Sequence, residues 1–183
     1  MPDDTKLLAV LESLRDRGAL GEASLGAAVA HADLFLAAVP PGCRRLLDLG
    51  SGGGLPGLVL ACRLIDVTVV LTDRRERRMD LLRLSCAQLG LGNRVSVVTA
   101  DVVALAGDDT YRASFDVVTA RAFGEPIWTL RCAVPFLNEH GVVIISEPPE
   151  VDVQTRWPAQ DVRRLGLRPS SVSPTQVRRF ERA

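Results

Sequence analysis

A glycine-rich loop directly after an apolar strand is the segment of this chain best suited to bind a ligand. The strand ends at Asp48-Leu49, and the loop Gly50–Gly57 holds five glycines within eight residues. Small residues are required where the backbone turns sharply and approaches a bulky ligand, because a Cβ atom would block the approach. Pro56 suits the first turn of a following helix. A loop at the carboxyl end of the first strand of an open sheet is where ligands bind in such folds.

The loop matches two cofactor patterns, and Asp48 decides between them. Gly52-x-Gly54-x-x-Gly57 satisfies the dinucleotide fingerprint. A carboxylate two residues before the first glycine is a poor neighbour for a pyrophosphate, which prefers helix N–H groups and no added negative charge. The same carboxylate can face the cationic amino end of S-adenosylmethionine (SAM). We therefore predict a SAM site in which Asp48 takes part, with a tight turn that binds nothing as the alternative.

Two further aspartates follow predicted strands. Asp73 comes after Val69–Thr72, about 20 residues beyond the glycines, where a carboxylate grips ribose hydroxyls. Capping the helix that starts near Arg75 is a compatible second role. Asp101, just after the third strand, is a candidate for the adenine amino group, and a solvated loop aspartate is its alternative.

The elements that would hold these residues alternate between apolar strands and helices, which indicates a parallel sheet covered on both faces. The predicted strands are Arg44–Leu49, Val67–Thr72, Val95–Thr99, Phe115–Thr119 and Gly141–Ser146. The predicted helices are Lys6–Arg17, Glu22–Val39, Leu58–Leu64, Arg75–Leu89 and Pro126–Leu137. A helix over Gln154–Arg164, interrupted by Pro158, then precedes two short strands, Leu165–Val172 and Thr175–Glu181, that suit an antiparallel hairpin at one edge of the sheet.

The predicted fold is therefore α/β, of the class I SAM-methyltransferase (Rossmann-like) type, with a mostly parallel seven-stranded sheet and helices on both faces. Residues 1–40 are expected to form a short N-terminal helical extension, and residues 41–183 the SAM-dependent methyltransferase domain, in a single compact unit.

Composition excludes several other classes of protein. The chain has 183 residues, zero net charge and two histidines, and its four cysteines form no CxxC pair, so we expect no metal site. No apolar run is long enough for a membrane span, and the acidic start does not resemble a secretory signal, so we expect a cytoplasmic protein. The aromatic residues are scattered, and no stacking platform for bases is predicted.

Three segments resemble the RsmG (GidB) family, which methylates N7 of a guanine in small-subunit ribosomal RNA. They are Leu47–Gly57, Leu71–Gly90 with its basic cluster Asp73–Arg78, and Phe115–Glu125 with the sequence Thr-Ala-Arg-Ala. The resemblance covers roughly residues 31–146. It implies SAM as cofactor and small-subunit ribosomal RNA as partner, with Asp73 at the ribose. It also implies that the methionine part of SAM lies along Gly50, Ser51, Gly52 and Gly54.

Arg121 is the residue that the resemblance implies at the mouth of the site, near SAM and the incoming RNA, and we expect it to act in catalysis. Its position alone singles it out, because a charge at the end of an apolar strand is expensive without a partner. A structural salt bridge with Asp48 or Asp116 is the alternative. Guanine N7 carries a free lone pair, so the transfer needs alignment and no general base.

One departure from the family leaves the acceptor open. The family has a Lys-Gly segment after strand five, whereas this chain has Ser146-Glu147-Pro148-Pro149-Glu150. Acids at an RNA-facing rim work against phosphate binding. They favour a small-molecule methyltransferase as the second hypothesis. A non-catalytic SAM-binding relative is the third, and a nicotinamide dehydrogenase is a distant fourth.

Overall fold

The structure is a computed structural model that describes residues 4–21, 24–148 and 152–183. Its strands are β1 (Arg45–Leu49), β2 (Thr68–Asp73), β3 (Val95–Thr99), β4 (Phe115–Ala120), β5 (Leu137–Ser146), β6 (Leu167–Pro169) and β7 (Val177–Arg182). Its α-helices are α1 (Asp4–Asp16), α2 (Leu25–Ala38), α3 (Gly57–Arg63), α4 (Glu76–Gln88), α5 (Val102–Ala106), α6 (Pro126–Ala133), α7 (Val153–Arg156) and α8 (Ala159–Arg164).

The seven strands form one sheet in the order β3-β2-β1-β4-β5-β7-β6. The first five strands are parallel, and β7 runs antiparallel to both β5 and β6. The chain therefore closes the sheet with an antiparallel hairpin at one edge, as the sequence predicts. Strand order reverses between β1 and β4, which makes the carboxyl ends of these two strands the place where a ligand binds in this architecture.

Consecutive side chains of β1 pack into the hydrophobic cores on opposite faces of the sheet. Leu46 belongs to the core under α1–α4, whereas Leu47 belongs to the core under α5, α6 and α8. Because both faces are covered, the central strands are apolar throughout instead of alternating with polar residues. The α/β fold with helices on both faces is thus confirmed.

The boundaries differ from the prediction around β5. The helix α6 ends at Ala133, a 3-10 turn covers Val134–Phe136, and β5 begins at Leu137 instead of Gly141. Phe115 pairs with Leu137, but Val117 already pairs with Val142, so the register shifts by a bulge. The extra residues of β5 fill that bulge, which hydrophobic periodicity alone does not reveal.

Two other elements also refine the expectation. The short helix α5 after β3 is not predicted from the sequence, and Pro158 separates α7 from α8 where an interruption is expected. Over the described ranges, no helix combines the length and apolarity that crossing a bilayer requires.

Candidate cofactor and acceptor site

The glycine loop is fastened to the end of β2 by its serine. The Ser51 main-chain amide donates to the Thr72 carbonyl (2.9 Å), and the Thr72 amide donates to the Ser51 Oγ (3.1 Å). The Ser51 hydroxyl donates in turn to the carbonyl of Asp48 (3.0 Å). These bonds hold the loop across the ends of β1 and β2, so its backbone forms a fixed wall.

The loop adopts backbone conformations that glycine alone takes without strain. Gly50, Gly52 and Gly54 have φ of +67°, +54° and +95°. A Cβ atom on Gly50 would also lie 2.5 Å from a ring carbon of Phe123, and one on Gly57 would lie 2.5 Å from the Asp48 Oδ2. Torsion and close packing both explain why this segment is rich in glycine.

The Asp73 carboxylate also holds the glycine loop, by accepting a hydrogen bond from its backbone. Its Oδ2 accepts a hydrogen bond from the Gly52 amide (3.2 Å), and its Oδ1 accepts one from the Arg75 amide (3.0 Å). The Arg75 Nε lies 3.4 Å from Oδ1. The residue at the N-cap of α4 is Arg75, so Asp73 braces the turn before the helix and does not cap the helix itself.

Asp101 caps a helix and also lines a cavity. It is the N-cap of α5, where its Oδ1 accepts a hydrogen bond from the Val103 amide (2.8 Å). It also lines a cavity together with Asp73. Both alternatives weighed for Asp101 are therefore compatible with its position.

This first cavity, which we call the cofactor cavity, lies over the carboxyl ends of β1, β2 and β4. Its lining includes Leu49, Gly50, Thr72, Asp73, Asp101, Ala122, Phe123 and Trp128. The rings of Phe123 and Trp128 are stacked, with centroids 5.3 Å apart and planes at 15°. The expectation that no aromatic platform exists is wrong here, because the turn after β4 brings together two rings that are five residues apart in the sequence.

Two more cavities adjoin the first. The loop cavity is lined by Leu20, Leu25, Ser51, Gly52, Arg78 and Arg121, among others. The side cavity is lined by His31, Arg121, Phe123, Thr129, Glu147 and Arg156, among others. Ala122 borders all three cavities and has a φ of +49°, which is unusual for a residue with a side chain. The segment after β4 is therefore the junction of the site.

Asp48 lies beneath the glycine loop and does not line any of these three cavities. It is 1% exposed, and its Oδ1 accepts a 2.6 Å hydrogen bond from the Thr119 hydroxyl. Burial raises the pKa of this carboxyl to about 6, against the opposing effect of hydrogen bonds and of Arg121. A direct contact between Asp48 and a ligand stays a prediction, while its support of the loop from below is visible.

Arg121 has no hydrogen bond or ion pair with the residues that the structure describes. The proposed salt-bridge alternatives are wrong: Asp48 exerts only a longer-range attraction, and Asp116 accepts hydrogen bonds from the amides of Arg44 and Arg45 and from Asn138. Burial lowers the pKa of the Arg121 guanidinium. A half-buried cation without a paired anion, on the wall of two cavities, is a ready anion-binding group.

Glu147 does not form the free acidic rim that the sequence suggests. It is 8% exposed, and its carboxylate lies 2.8 Å from the Arg156 Nε and 3.5 Å from the Arg178 Nε. The Trp157 indole N–H donates to the same carboxylate. Two cations and one donor thus neutralise Glu147. The second acid of that segment, Glu150, lies outside the described residues.

Three of the four cysteines lie within helices. Cys62, Cys86 and Cys132 are within α3, α4 and α6, as expected, and burial raises the pKa of each thiol. Within the described ranges, no group of three or more His, Cys, Asp or Glu side chains is placed to hold a metal ion.

The fold is that of the class I SAM-dependent methyltransferases. The structure is similar to the O-methyltransferase of Bacillus cereus solved in complex with S-adenosylhomocysteine (SAH), with a TM-score of 0.71 and 17% identity over 100% of this chain and 93% of that one. A sequence profile described as rRNA small subunit methyltransferase G (GidB) matches residues 33–154. The chain belongs to this family, which confirms the resemblance.

Individual relatives agree with the family match. The ribosomal RNA small subunit methyltransferase G of Sorangium cellulosum is 41% identical over 55% of this chain and 41% of its own length. That of Rubrobacter xylanophilus is 37% identical over 70% of this chain and 49% of its own length. The chain thus spans about half the length of these relatives.

Proposed function

We propose that this chain is a SAM-dependent methyltransferase that transfers a methyl group to guanine N7 of small-subunit ribosomal RNA, in the cytoplasm. The observation that carries the proposal is the glycine loop after β1, which is hydrogen-bonded through Ser51 to Thr72 and through Gly52 to Asp73, beside the point where the strand order reverses. The family of the chain, and the names of its relatives, support the choice of RNA as acceptor.

The residues on the walls fit SAM. Gly50 borders the cofactor cavity, and Ser51 and Gly52 border the loop cavity, so the methionine part can lie along this backbone; Gly54 lines none of the three cavities. Asp73 offers carboxylate oxygens to ribose hydroxyls, and Asp101 offers one to the adenine amino group. The ring face of Trp128 adds a surface on which adenine can stack.

When bound, SAM supplies an electrophilic methyl group on a sulfonium. The chain's own part is to align the acceptor with that group and to exclude water. Guanine N7 brings its own electron pair, so no residue has to remove a proton. We propose that Arg121 acts by holding the negatively charged acceptor at the junction of the three cavities.

Asp73→Ala tests the cofactor site. Losing hydrogen bonds to a charged group costs about 1.5–3 kcal/mol, so we expect SAH to bind about 10- to 100-fold more weakly in calorimetric titration. Asp80→Ala is the matched control, because Asp80 is an exposed residue of α4 that pairs with Arg83. Equal affinities in both variants would refute the assignment of Asp73.

Methyl transfer from labelled SAM tests the acceptor. We expect the label in deproteinised or assembled small-subunit RNA, and at N7 of guanine after nuclease digestion. Label in a small metabolite and none in RNA would contradict the acceptor and leave the cofactor site intact. SAH binding without transfer to either would favour a non-catalytic relative.

We further propose that residues 1–40 form a helical extension and residues 41–183 form the methyltransferase domain. Leu20 and Leu25 of the extension line the loop cavity, which supports a role in closing the site.

A further inference from the structure

The side cavity is separate from the cofactor cavity but touches it. The two cavities share Ala122 and Phe123, and the side cavity extends from there to His31, Glu147 and Arg156. Its far wall comes from the segment after β5 and from α7. A ligand in the side cavity would therefore lie next to a ligand in the cofactor cavity.

The charges around the side cavity favour an anion. Two guanidinium groups, those of Arg156 and Arg178, contact the single carboxylate of Glu147, and Arg121 lies with Arg156 on the wall of the cavity. Arg156 and Arg178 share this carboxylate, and Arg121 has no ionic partner among the described residues. The cluster therefore carries an excess of positive charge, in the form that matches phosphate oxygens best.

Arg156 is held in place on two sides. Its Nε contacts Glu147 at 2.8 Å, and its guanidinium carbon lies 5.4 Å from the centroid of the Trp157 ring. The Glu147 carboxylate is itself fixed by the Trp157 indole N–H. Such contacts orient a flexible side chain before any ligand arrives, which reduces the entropy lost on binding.

The remaining residues that line the side cavity suit a ligand with a planar ring and polar groups at its edges. Phe123 presents an aromatic surface that is backed by Trp128, and bases stack on such surfaces without regard to sequence. His31 has a buried Nδ1 without a hydrogen-bond partner. Burial, followed by the positive charge of Arg121, lowers the pKa of this imidazole.

We propose that the side cavity binds the acceptor nucleotide of the RNA, with Arg121 and Arg156 at its phosphate and the Phe123 ring against its base. Glu147 then orients Arg156 and does not repel RNA. This inference rests on the proposed function, since it assigns the acceptor half of the same reaction.

Arg156→Gln is the first test, with the whole chain and deproteinised small-subunit RNA. We expect the KM for RNA to rise at least tenfold, the SAH Kd to change less than twofold, and the salt dependence of RNA binding to fall by about one phosphate contact. Arg112→Gln is the matched control, because Arg112 is an exposed arginine before β4, at the opposite end of the strand from Arg121. It should leave all three quantities unchanged.

Glu147→Gln separates binding from a purely structural role for Arg156. The glutamine amide oxygen can still accept the Trp157 hydrogen bond, but Arg156 loses the carboxylate that orients it, so the KM for RNA should rise by less than in Arg156→Gln. If Glu147→Gln and Arg156→Gln instead raised this KM equally and lowered Tm equally, the pair would be structural and the inference would be wrong.

The remaining outcomes distinguish this inference from the proposed function. A wild-type chain that binds SAH but methylates no RNA would overturn the proposed function. Methylation of RNA by the wild-type chain, with Arg156→Gln behaving like Arg112→Gln, would overturn only the assignment of the side cavity. Free GMP that inhibits as strongly as a guanine-containing RNA oligonucleotide would replace RNA by a free nucleotide as the acceptor.

Discussion

The Thr119 hydroxyl donates a 2.6 Å hydrogen bond to the Asp48 Oδ1, and this bond joins β4 to β1 where the strand order reverses. Both residues are buried, and the Asp48 Oδ2 has no hydrogen-bond partner of ordinary geometry. Burial dominates and raises the pKa of Asp48 to about 6. The loop above it therefore rests on a carboxylate that is charged only at a cost in stability.

Asp48→Asn should show that cost as a pH dependence. The folded chain keeps the proton of Asp48 up to about pH 6, whereas an unfolded aspartate releases it near its usual value of 3.8. The free energy of unfolding therefore falls as the pH rises from about 4 to about 6. Above that range, the loss caused by ionising Asp48 has reached its full value. In urea unfolding, we expect the free energy of unfolding of Asp48→Asn to exceed that of the wild type by up to about 3 kcal/mol at pH 8. This difference should decrease toward zero as the pH falls to 4.

Asp116→Asn is the control, because its pKa shift has the opposite sign. Burial is the largest single influence on Asp116 and raises its pKa, but hydrogen bonds from the amides of Arg44 and Arg45 and from Asn138 together lower it. Its charged form thus stabilises the fold above pH 4, so Asp116→Asn should cost stability at pH 8 and less at low pH. The same pH dependence in both variants would contradict the assignment.

Gly50→Ala should affect cofactor binding far more than its backbone strain predicts. Gly50 has a φ of +67°, and its added Cβ would lie 2.5 Å from the Phe123 ring. Displacing that ring disturbs a wall shared by two cavities. We expect SAH affinity to fall at least tenfold in calorimetric titration.

Gly90→Ala provides the comparison for Gly50→Ala. Gly90 has a similar φ of +71° but no heavy atom within 4 Å of its added Cβ. Each substitution costs about 1–2 kcal/mol of backbone strain, and only Gly50→Ala adds the contact with Phe123. If both variants bound SAH like the wild type, the position of Phe123 would be irrelevant to the cofactor.

The turn at Gly50 can be predicted from the sequence, but the position of the Phe123 ring next to it cannot. The glycine loop, the aspartate at the end of β2 and the terminal hairpin follow from local patterns, because turn chemistry and strand alternation are local properties. The stacking of Phe123 on Trp128 is a tertiary contact beside the unusual backbone at Ala122, and no pattern in the sequence indicates either feature.

Glu147 shows that the ionic partners of a charged residue are equally hard to predict from the sequence. The sequence correctly marks it as an acid after strand five, and the expectation of an acidic rim follows directly. Its neutralisation depends on Arg178, which the antiparallel pairing of β7 with β5 brings next to it. A charge can be read from the sequence, but its partner depends on strand register.

Asp101→Ser should separate the two contacts of Asp101. A serine still caps α5, so stability should change by less than about 0.5 kcal/mol, whereas alanine should cost about 1 kcal/mol. Serine is too short to replace a carboxylate at the adenine amino group. We expect both variants to weaken SAH binding about tenfold, and only the alanine variant to melt earlier in thermal unfolding. Wild-type affinity in the serine variant would leave Asp101 as a cap alone.

Trp128→Phe should remove the fluorescence response to the cofactor. The chain has two tryptophans, and only Trp128 lines the cofactor cavity, where 43% of it is exposed. Trp157 is buried against Phe180 and contacts Glu147 instead. A ligand that stacks on Trp128 replaces water at the ring, so SAH should change the emission of the wild type. Phenylalanine keeps an aromatic surface for stacking, so Trp128→Phe should bind SAH within about threefold of the wild type while its emission stays constant during the titration. An emission change that persists in Trp128→Phe would come from Trp157, and it would locate the SAH-dependent event at the side cavity instead of the cofactor cavity.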